Sequence, residues 1–278
     1  MSWNALLAEL EEELGESISL DALTGPLGGP LSAPLAGAVA GAPTGSWRIA
    51  QRTAGHRHSV DDVLTAHYAL DALGAKRAGR ALDLGSGIGG VGLLTLWGLG
   101  PAARLYCVEA QAISHRLLVA NVTGNGLADR VVTQLGDLRK LDLRERFGLV
   151  TGSPPYFPIG TGILPADSQK AHARFELRGD VGDYARAAAR HLEPDGVFVF
   201  CFPTPQRSRA HAGVRDAGLH VTSYCDVVPR VGLRPLFTLF ACGREAVTCR
   251  VDPPFEVRTA EGAVTDAMSA VRRRFGFT

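Results

Sequence analysis

Apolar and polar positions alternate with two different periods between residues 60 and 242. Spacings of three and four residues predict helices over 60–73, 90–99, 112–121, 181–191 and 205–217. Short, nearly continuous apolar runs predict buried strands over 80–84, 104–109, 131–135, 147–151, 196–202, 220–228 and 236–242. Helices that alternate with buried strands are typical of an α/β protein with a doubly wound, mostly parallel sheet. The last two strands have no helix between them, which predicts an antiparallel edge.

The first 46 residues have a different pattern. Residues 2–14 place Trp3, Leu6, Leu10 and Leu14 on one helical face, with most of the glutamates on the other. Gly, Pro, Ala and Leu dominate residues 22–46, which predicts a loop or linker. We therefore expect an N-terminal helix and linker over 1–46, with the helix docked on its own chain, and a main domain over 47–278.

Composition indicates a soluble globular protein. Hydrophobic residues make up 46% of the 278, charged residues 21%, and the net charge is +1, so no global field requires a nucleic-acid partner. The five cysteines form no CxxC pair, which predicts buried free thiols in a reducing compartment and no metal site. No apolar run is long enough to cross a bilayer and no signal peptide is evident, so we expect a cytoplasmic protein without a membrane partner.

A glycine-rich turn follows the first buried strand, in the stretch Asp83-Leu84-Gly85-Ser86-Gly87-Ile88-Gly89-Gly90. Its glycines satisfy both GxGxxG, the dinucleotide pattern, and GxGxG, which is associated with S-adenosylmethionine (SAM) enzymes. Glu109 ends the next strand, where a carboxylate can accept hydrogen bonds from ribose hydroxyls. The turn therefore predicts a nucleoside cofactor and leaves its identity open.

Two further features favour SAM over a nicotinamide dinucleotide. Asp83 precedes the first glycine by two residues, where a carboxylate would attract an ammonium or sulfonium and repel a pyrophosphate. The segment Ser153-Pro154-Pro155-Tyr156 follows the fourth strand, at the edge where an open α/β sheet binds its ligands. Asp137, after the third strand, either accepts from the adenine amino group or caps the turn that follows it.

The Ser-Pro-Pro-Tyr segment is suited to holding an amino group. Two prolines make a stiff bend and remove two backbone donors, and the first one keeps Ser153 extended. A hydroxyl, a carbonyl and the aromatic face of Tyr156 are thereby presented together. We expect a planar group with an N–H to stack on Tyr156 and donate to those acceptors.

Four stretches resemble the class I SAM-dependent methyltransferases with an (N/D/S)PPY motif. Within that class they are most similar to the tRNA adenine-N6 methyltransferases that modify an adenine beside the anticodon of a valine tRNA. The stretches are a G-x-R-x-S-x-D-like segment at 55–61, the glycine loop at 83–89, Ser-Pro-Pro-Tyr-Phe at 153–157 and an A-R-x-E-like segment at 173–176. A weaker likeness covers 255–277, whereas residues 1–46 have no counterpart.

The resemblance implies a fold, a cofactor and residue roles. The fold is a Rossmann-like domain with a seven-stranded sheet, and the cofactor is SAM. The group's pattern assigns SAM binding to Arg57, Asp61, Asp83, Gly85, Gly87, Glu109 and Asp137. It assigns the target amino group to Ser153, the carbonyl of Pro154 within the Pro154-Pro155 bend, and Tyr156.

The implied substrate is tRNA, but Ser153 stands where this group has asparagine. A serine hydroxyl is shorter than an asparagine amide and can also donate, which affects the choice of target base. Ser-Pro-Pro-Tyr is also similar to the motif of cytosine-N4 methyltransferases that act on DNA. A protein glutamine or a small amine or amide remains an alternative substrate, and a non-catalytic SAM-fold scaffold is a third hypothesis. An RNA substrate would need a basic surface, for which the candidates are Arg48, Arg52, Arg207, Arg209, Arg230, Arg234 and Arg272–Arg274.

Overall fold

The computed structural model describes residues 2–25, 46–74, 76 and 78–278. The strands in these ranges are β1 (Ile18–Ala22), β2 (Arg48–Arg52), β3 (Arg80–Leu84), β4 (Arg104–Glu109), β5 (Val131–Leu135), β6 (Phe147–Gly152), β7 (Leu192–Pro203), β8 (His220–Val228), β9 (Phe237–Gly243) and β10 (Arg250–Glu256). The helices are α1 (Trp3–Leu14), α2 (Val60–Leu73), α3 (Gly90–Leu99), α4 (Ala112–Gly124), α5 (Ser168–Arg174), α6 (Val181–His191), α7 (Arg207–Asp216) and α8 (Asp266–Arg274). Within the described ranges, none of these helices has the length and apolar character needed to cross a membrane.

The central sheet has eight strands in the order β10-β8-β9-β7-β6-β3-β4-β5. Strand β9 is antiparallel to both of its neighbours and the other pairs are parallel, which confirms a doubly wound, mostly parallel sheet. The strand count is eight rather than the expected seven, because β10 pairs with β8 and places the antiparallel pair inside the sheet. Strand β10 carries Pro253 and Pro254 at a register shift, and proline is tolerated only at such edge positions.

Both faces of the sheet are covered by helices and bury apolar side chains. Along β7, Phe198 and Phe200 face the core formed with α6 and α7, whereas Val199 and Cys201 face the core formed with α2 and α3. This alternation follows from the two-residue period of a strand. The sheet is therefore inaccessible on its faces, and ligands can approach only at the ends of its strands.

The N-terminal helix α1 packs on the rest of the chain, as its apolar face predicted. Trp3 packs so closely over Gly124 that a Cβ there would lie 2.5 Å from its ring. Arg116 on α4 pairs with Glu9 and Glu13 of α1, each at 2.6 Å. Strand β1 continues the contact by pairing antiparallel with β2. Most of the predicted linker, residues 26–45, lies outside the described residues.

Candidate active site

A cleft opens at the carboxyl ends of β3, β4 and β6, where the glycine turn, Glu109 and Ser153 come together. Its empty volume, including the open mouth, is about 990 Å³. Residues 56–58 line it from the segment before α2, and Gln169 and His172 line it from α5. Three regions that are far apart in sequence thus enclose the space above the sheet.

The glycine turn is shaped by two positions with positive φ. Gly85 has a φ of +61°, and a Cβ there would lie 2.0 Å from the hydroxyl of Tyr184, so packing excludes a side chain. Gly87 has a φ of +56°, and a Cβ there would project into open space. The first glycine lets the loop pack on α6, and the second leaves room for a ligand beside the backbone.

Asp83 lines the cleft and, within the described ranges, has one buried oxygen without a hydrogen-bond partner. Its Oδ1 accepts a hydrogen bond of 2.7 Å from Thr151 Oγ1, whereas Oδ2 has no hydrogen-bond partner among the described residues. Burial raises the pKa of this carboxyl to about 7. A carboxylate at this position would attract a cationic group of a ligand bound in the cleft. Asp83 therefore fits the ammonium and sulfonium of SAM.

Glu109 anchors the other side of the turn. One oxygen accepts from the backbone N–H of Gly87 at 2.8 Å and the other from the N–H of Gln111 at 2.7 Å. Burial raises the pKa of Glu109. Its carboxylate lines the cleft and has lone pairs left for two ribose hydroxyls. The donor and acceptor set of the turn thus fits a nucleoside with a cationic tail.

The carboxylate of Asp137 is bound to Arg139. It accepts from the N–H of Arg139 at 2.9 Å and pairs with the guanidinium of the same residue at 2.6 Å, which lowers the pKa of the carboxyl. Gly136 and Leu138 line the cleft, but Asp137 does not. The structure shows the turn-capping role that the sequence left open, and adenine binding by Asp137 stays a prediction.

Residues 55–61 contribute to the cleft and to the Ser-Pro-Pro-Tyr bend. Arg57 lines the cleft, and its guanidinium is held at 3.0 Å from Asp21 on β1. Asp61 points instead towards the bend, where Oδ2 accepts from the hydroxyl of Tyr156 at 3.3 Å. Burial and the neighbouring carboxylate of Asp62 raise the pKa of Asp61.

Sequence reasoning missed Asp62, which lines the cleft. It accepts from Ser59 N at 3.1 Å and lies 2.9 Å from His58 Nδ1. Burial raises the pKa of Asp62, but the hydrogen bond and charge of His58 outweigh that effect and lower it overall. The signal was present in the sequence, because Ser59-Val60-Asp61-Asp62 is a helix-capping pattern at the start of α2.

The Ser-Pro-Pro-Tyr bend is only partly turned to the cleft. Ser153 and Pro155 line it, whereas Pro154 is buried behind them. Ser153 Oγ lies 3.5 Å from Cys201 Sγ on β7, and this contact joins the bend to the neighbouring strand. The predicted acceptor hydroxyl is thus next to the cofactor side of the site.

Tyr156 is fixed from several sides. Its N–H donates to the carbonyl of Arg174 at 3.0 Å, and its carbonyl accepts from Gln206 Nε2 at 2.7 Å. Its ring meets Phe202 edge-on at 6.0 Å. Burial, Cys201 and Asp61 raise the pKa of the hydroxyl well above its ordinary value, so Tyr156 stays a neutral donor.

Phe157 is the aromatic side chain of this segment that faces solvent. It is 44% exposed, and its ring tilts against Phe175 at a centroid distance of 5.5 Å. Both residues are candidates for stacking on a base. The hydroxyl of Tyr156 points into the protein towards Asp61, whereas the ring of Phe157 faces solvent.

Comparison with known proteins identifies related sequences. No family model matches the chain. A tRNA1(Val) (adenine(37)-N6)-methyltransferase of Phocaeicola vulgatus is 26% identical over 193 residues, which cover 69% of this chain and 79% of that protein. The Vibrio cholerae enzyme of the same description is 27% identical over 181 residues, 65% and 72% of the two chains. The match to the Actinobacillus pleuropneumoniae enzyme, at 24% over 155 residues, covers 55% of this chain and 64% of that one.

Solved structures show the same fold. A predicted O-methyltransferase from Agrobacterium tumefaciens superposes with a TM-score of 0.58 at 16% identity, over 79% of this chain and 98% of that chain. A Listeria monocytogenes structure assigned to the class I SAM-dependent methyltransferases gives 0.52 at 13% identity, over 81% and 73%. The chain has the class I SAM-dependent methyltransferase fold and is related in sequence to the tRNA1(Val) adenine-N6 methyltransferases. The cofactor that this class implies is SAM, which agrees with Asp83, Gly87 and Glu109 in the cleft.

Several arginines expected to form a basic surface are instead paired with carboxylates. Arg207 pairs with Asp226, Arg209 with Glu176 and Arg274 with Asp71. Arg52 bridges Glu16 and Asp167. The other predicted arginines form no ion pair with a carboxylate among the described residues; these are Arg48, Arg230, Arg234, Arg272 and Arg273.

Proposed function

We propose that this chain transfers a methyl group from SAM to an amino nitrogen, N6 of an adenine in tRNA. The observation that carries the proposal is the shared cleft, because the glycine turn and Ser153 both line it. Methyl transfer to nitrogen requires that the methyl donor and the amino group meet in one space, and the two sites open on the same cleft. The related tRNA1(Val) (adenine(37)-N6)-methyltransferases support adenine in tRNA as the acceptor.

The cofactor side is assigned to residues whose chemistry fits SAM. Asp83 would hold the cationic tail, Glu109 the ribose, and Gly85 and Gly87 would shape the backbone between them. Arg57, from the segment above the cleft, would close over the cofactor. SAM supplies, when bound, a methyl group on a sulfonium that leaves as a neutral thioether once nitrogen has taken the carbon.

The acceptor side is assigned to the bend. An exocyclic amine is a poor nucleophile, because its lone pair is delocalised into the ring. Ser153 Oγ and the Pro154 carbonyl would accept its two hydrogens, bias the nitrogen towards a tetrahedral geometry and free the lone pair. The product loses one proton to solvent afterwards, so no strong base is required before attack.

Asp61 gives the bend a fixed position relative to the cofactor side. It accepts from the Tyr156 hydroxyl at 3.3 Å and lies in the same helical turn as Asp62, which lines the cleft. We therefore assign Asp61 to the acceptor side rather than to direct contact with SAM. A base splayed out of RNA would stack beside Tyr156 and Phe157.

A protein glutamine or a small amine is the second candidate. Two observations favour it: a serine, Ser153, stands where the resemblance leads us to expect asparagine, and four arginines expected on an RNA-binding surface are paired with carboxylates. The chemistry at the bend would be the same for either substrate.

Transfer of a tritiated methyl group from SAM separates these candidates. The wild-type chain is incubated with unmodified total tRNA and, separately, with a protein extract. We expect label in tRNA, and Tyr156→Ala serves as a control that should bind SAM without transferring the methyl group. Label in protein alone would contradict the proposal. Absence of SAM binding by calorimetry would favour a non-catalytic scaffold.

A further inference from the structure

Exposed apolar side chains concentrate just after the Ser-Pro-Pro-Tyr bend. Among the described residues, twelve large apolar side chains are exposed, and four of them fall within residues 157–164. These four are Phe157 at 44%, Ile159 at 63%, Ile163 at 95% and Leu164 at 46%. Scattered apolar exposure needs no explanation, but a contiguous group beside a ligand cleft indicates a contact surface.

The segment that carries them is held in place at both ends. The N–H of Phe157 donates to Arg174 O at 2.9 Å, and its carbonyl accepts from Glu176 N at 2.9 Å. Asp167, at the far end, pairs with Arg52 at 2.8 Å. Between these points a Cβ at Gly162 would lie 3.6 Å from the Phe175 ring, so the chain wraps over that side chain. The apolar side chains are exposed on an anchored backbone.

Two arginines that lack a carboxylate partner among the described residues are linked to this segment through Phe175, which forms a parallel bridge with Phe157. Arg174 and Arg178 are exposed on either side of Phe175, and within the described part of the chain neither forms an ion pair with a carboxylate. Arg178 lines the cleft and donates to the Ala110 carbonyl, which leaves most of its guanidinium donors available. They differ in this respect from Arg52 and Arg209, whose charges are neutralised by neighbours.

We propose that the nucleotides flanking the target adenine lie on this surface, the acceptor rim, formed by Phe157, Ile159, Ile163, Leu164, Arg174 and Arg178. The proposal rests on the proposed function and identifies where its RNA binds. A single strand offers planar bases, which stack on an exposed aromatic ring, and phosphates, which pair with arginine. The rim continues from the bend, because Tyr156 N and Phe157 N both donate to the Arg174 carbonyl. The apolar side chains of the rim would contact the bases, and its two arginines would contact the phosphates.

Fluorescence anisotropy tests the rim with a labelled ten-nucleotide single-stranded RNA and with unmodified tRNA, from 50 to 250 mM salt. Arg174→Gln and Arg178→Gln should each weaken binding and reduce the slope of log K against log salt by about 0.7, the value for one phosphate contact on a single strand. Phe157→Leu keeps an apolar contact with Phe175 but loses the π-face, and should weaken binding about 10-fold. Ile163 is almost fully exposed, so Ile163→Ser tests the rim without disturbing the fold.

Arg104→Gln is the matched control. Arg104 is exposed at the start of β4, at the opposite end of the sheet from the cleft, and like Arg178 it donates to a backbone carbonyl, that of Asp129. This variant should bind RNA like the wild-type chain. Equal salt slopes for Arg174→Gln, Arg178→Gln and Arg104→Gln would overturn the proposal.

The remaining outcomes separate this proposal from the proposed function. Methyl transfer to tRNA with no effect of any rim variant would overturn the rim alone. RNA binding that depends on Arg174 and Phe157, without methyl transfer to any tRNA, would support the rim and contradict the proposed function. An acidic peptide that binds the rim in preference to RNA, or is methylated in its place, would overturn the rim as an RNA surface.

Discussion

On the cofactor side of the cleft, the glycine turn and both carboxylates come from residues 83–90 and 109–111, and Arg57 is added from the segment before α2. The acceptor side gathers side chains from four separate elements. On the cofactor side, backbone geometry and two carboxylates at strand ends form the site. On the acceptor side, Tyr156 contacts Asp61 on α2, Cys201 on β7, and Gln206 before α7. The first site depends on the local sequence pattern, and the second depends on the packing of the whole domain.

The largest effect should come from a side chain at Gly85. A left-handed φ alone costs an L-residue about 1–2 kcal/mol, and a Cβ at Gly85 would also overlap the Tyr184 hydroxyl. We expect Gly85→Ala to abolish SAM binding and to lower the free energy of unfolding by about 2–5 kcal/mol in urea titrations. Gly15→Ala, with a φ of +67° and nothing near the new Cβ, measures the cost of φ alone. Similar losses for both variants would show that Tyr184 does not constrain the turn.

Substitutions at Tyr156 should lower the rate of methyl transfer and leave SAM binding unchanged. Tyr156→Ala should lower the rate of methyl transfer about 100-fold, because the bend loses its fixed position. Calorimetry should show nearly unchanged SAM affinity. Tyr156→Phe removes only the hydroxyl that Asp61 accepts from, and a loss of about 10-fold is expected. Parallel losses of transfer and SAM affinity would mean that the two sides are not separable.

Asp83 should make SAM binding depend on pH. Its carboxyl titrates at about 7 in the folded chain, and only the ionised form attracts a cation. We expect SAM affinity to rise about 10-fold between pH 6 and 8, while Asp83→Asn binds weakly and without this dependence.

The contribution of Asp83 to the stability of the cofactor-free chain should decrease as pH rises, whereas SAM affinity should increase. Because the folded pKa of Asp83 lies above its ordinary value, its contribution to stability is fully present below about pH 4 and is lost as pH rises through about 7. Asp83→Asn should lack that part of the pH dependence in urea unfolding. A wild-type SAM affinity that stays constant from pH 6 to 8 would contradict the role of Asp83.

The smallest effect should come from Asp137. Its carboxylate pairs with Arg139 and does not line the cleft, and such pairs contribute at most about 1 kcal/mol. Asp137→Asn should therefore change SAM affinity by no more than about 5-fold in calorimetry. A larger loss would support adenine binding by Asp137.

Sequence patterns predicted the regular part of the fold well. Strands 80–84, 104–109 and 131–135 have the bounds observed, because each contains a mainly apolar run that ends at an acidic residue or just before a glycine. Strands β1 and β2 were missed because they are short and carry polar residues, and β10 because Pro253 and Pro254 argue against a strand. The short helix α5 has no apolar stripe long enough to detect.

The part of the candidate site that is formed by residues close in sequence could be predicted. The carboxylates Asp83 and Glu109 lie at the carboxyl ends of β3 and β4, and a strand end can be recognised in the sequence. The contact of Asp61 with Tyr156 spans 95 residues and depends on where α2 packs, which no spacing rule specifies. The pairing of Arg207 and Arg209 with acidic partners was also invisible, because it is set by the register of loops and helices.

Nucleoside analysis of methylated tRNA tests most directly whether the cleft joins a SAM site to an adenine site. Unmodified tRNA is incubated with tritiated SAM and the wild-type chain or Tyr156→Ala, then digested to nucleosides and separated by chromatography. We expect the label in N6-methyladenosine with the wild-type chain and almost none with Tyr156→Ala. Label in a methylated cytidine, or equal labelling of adenine by both proteins, would contradict the assignment.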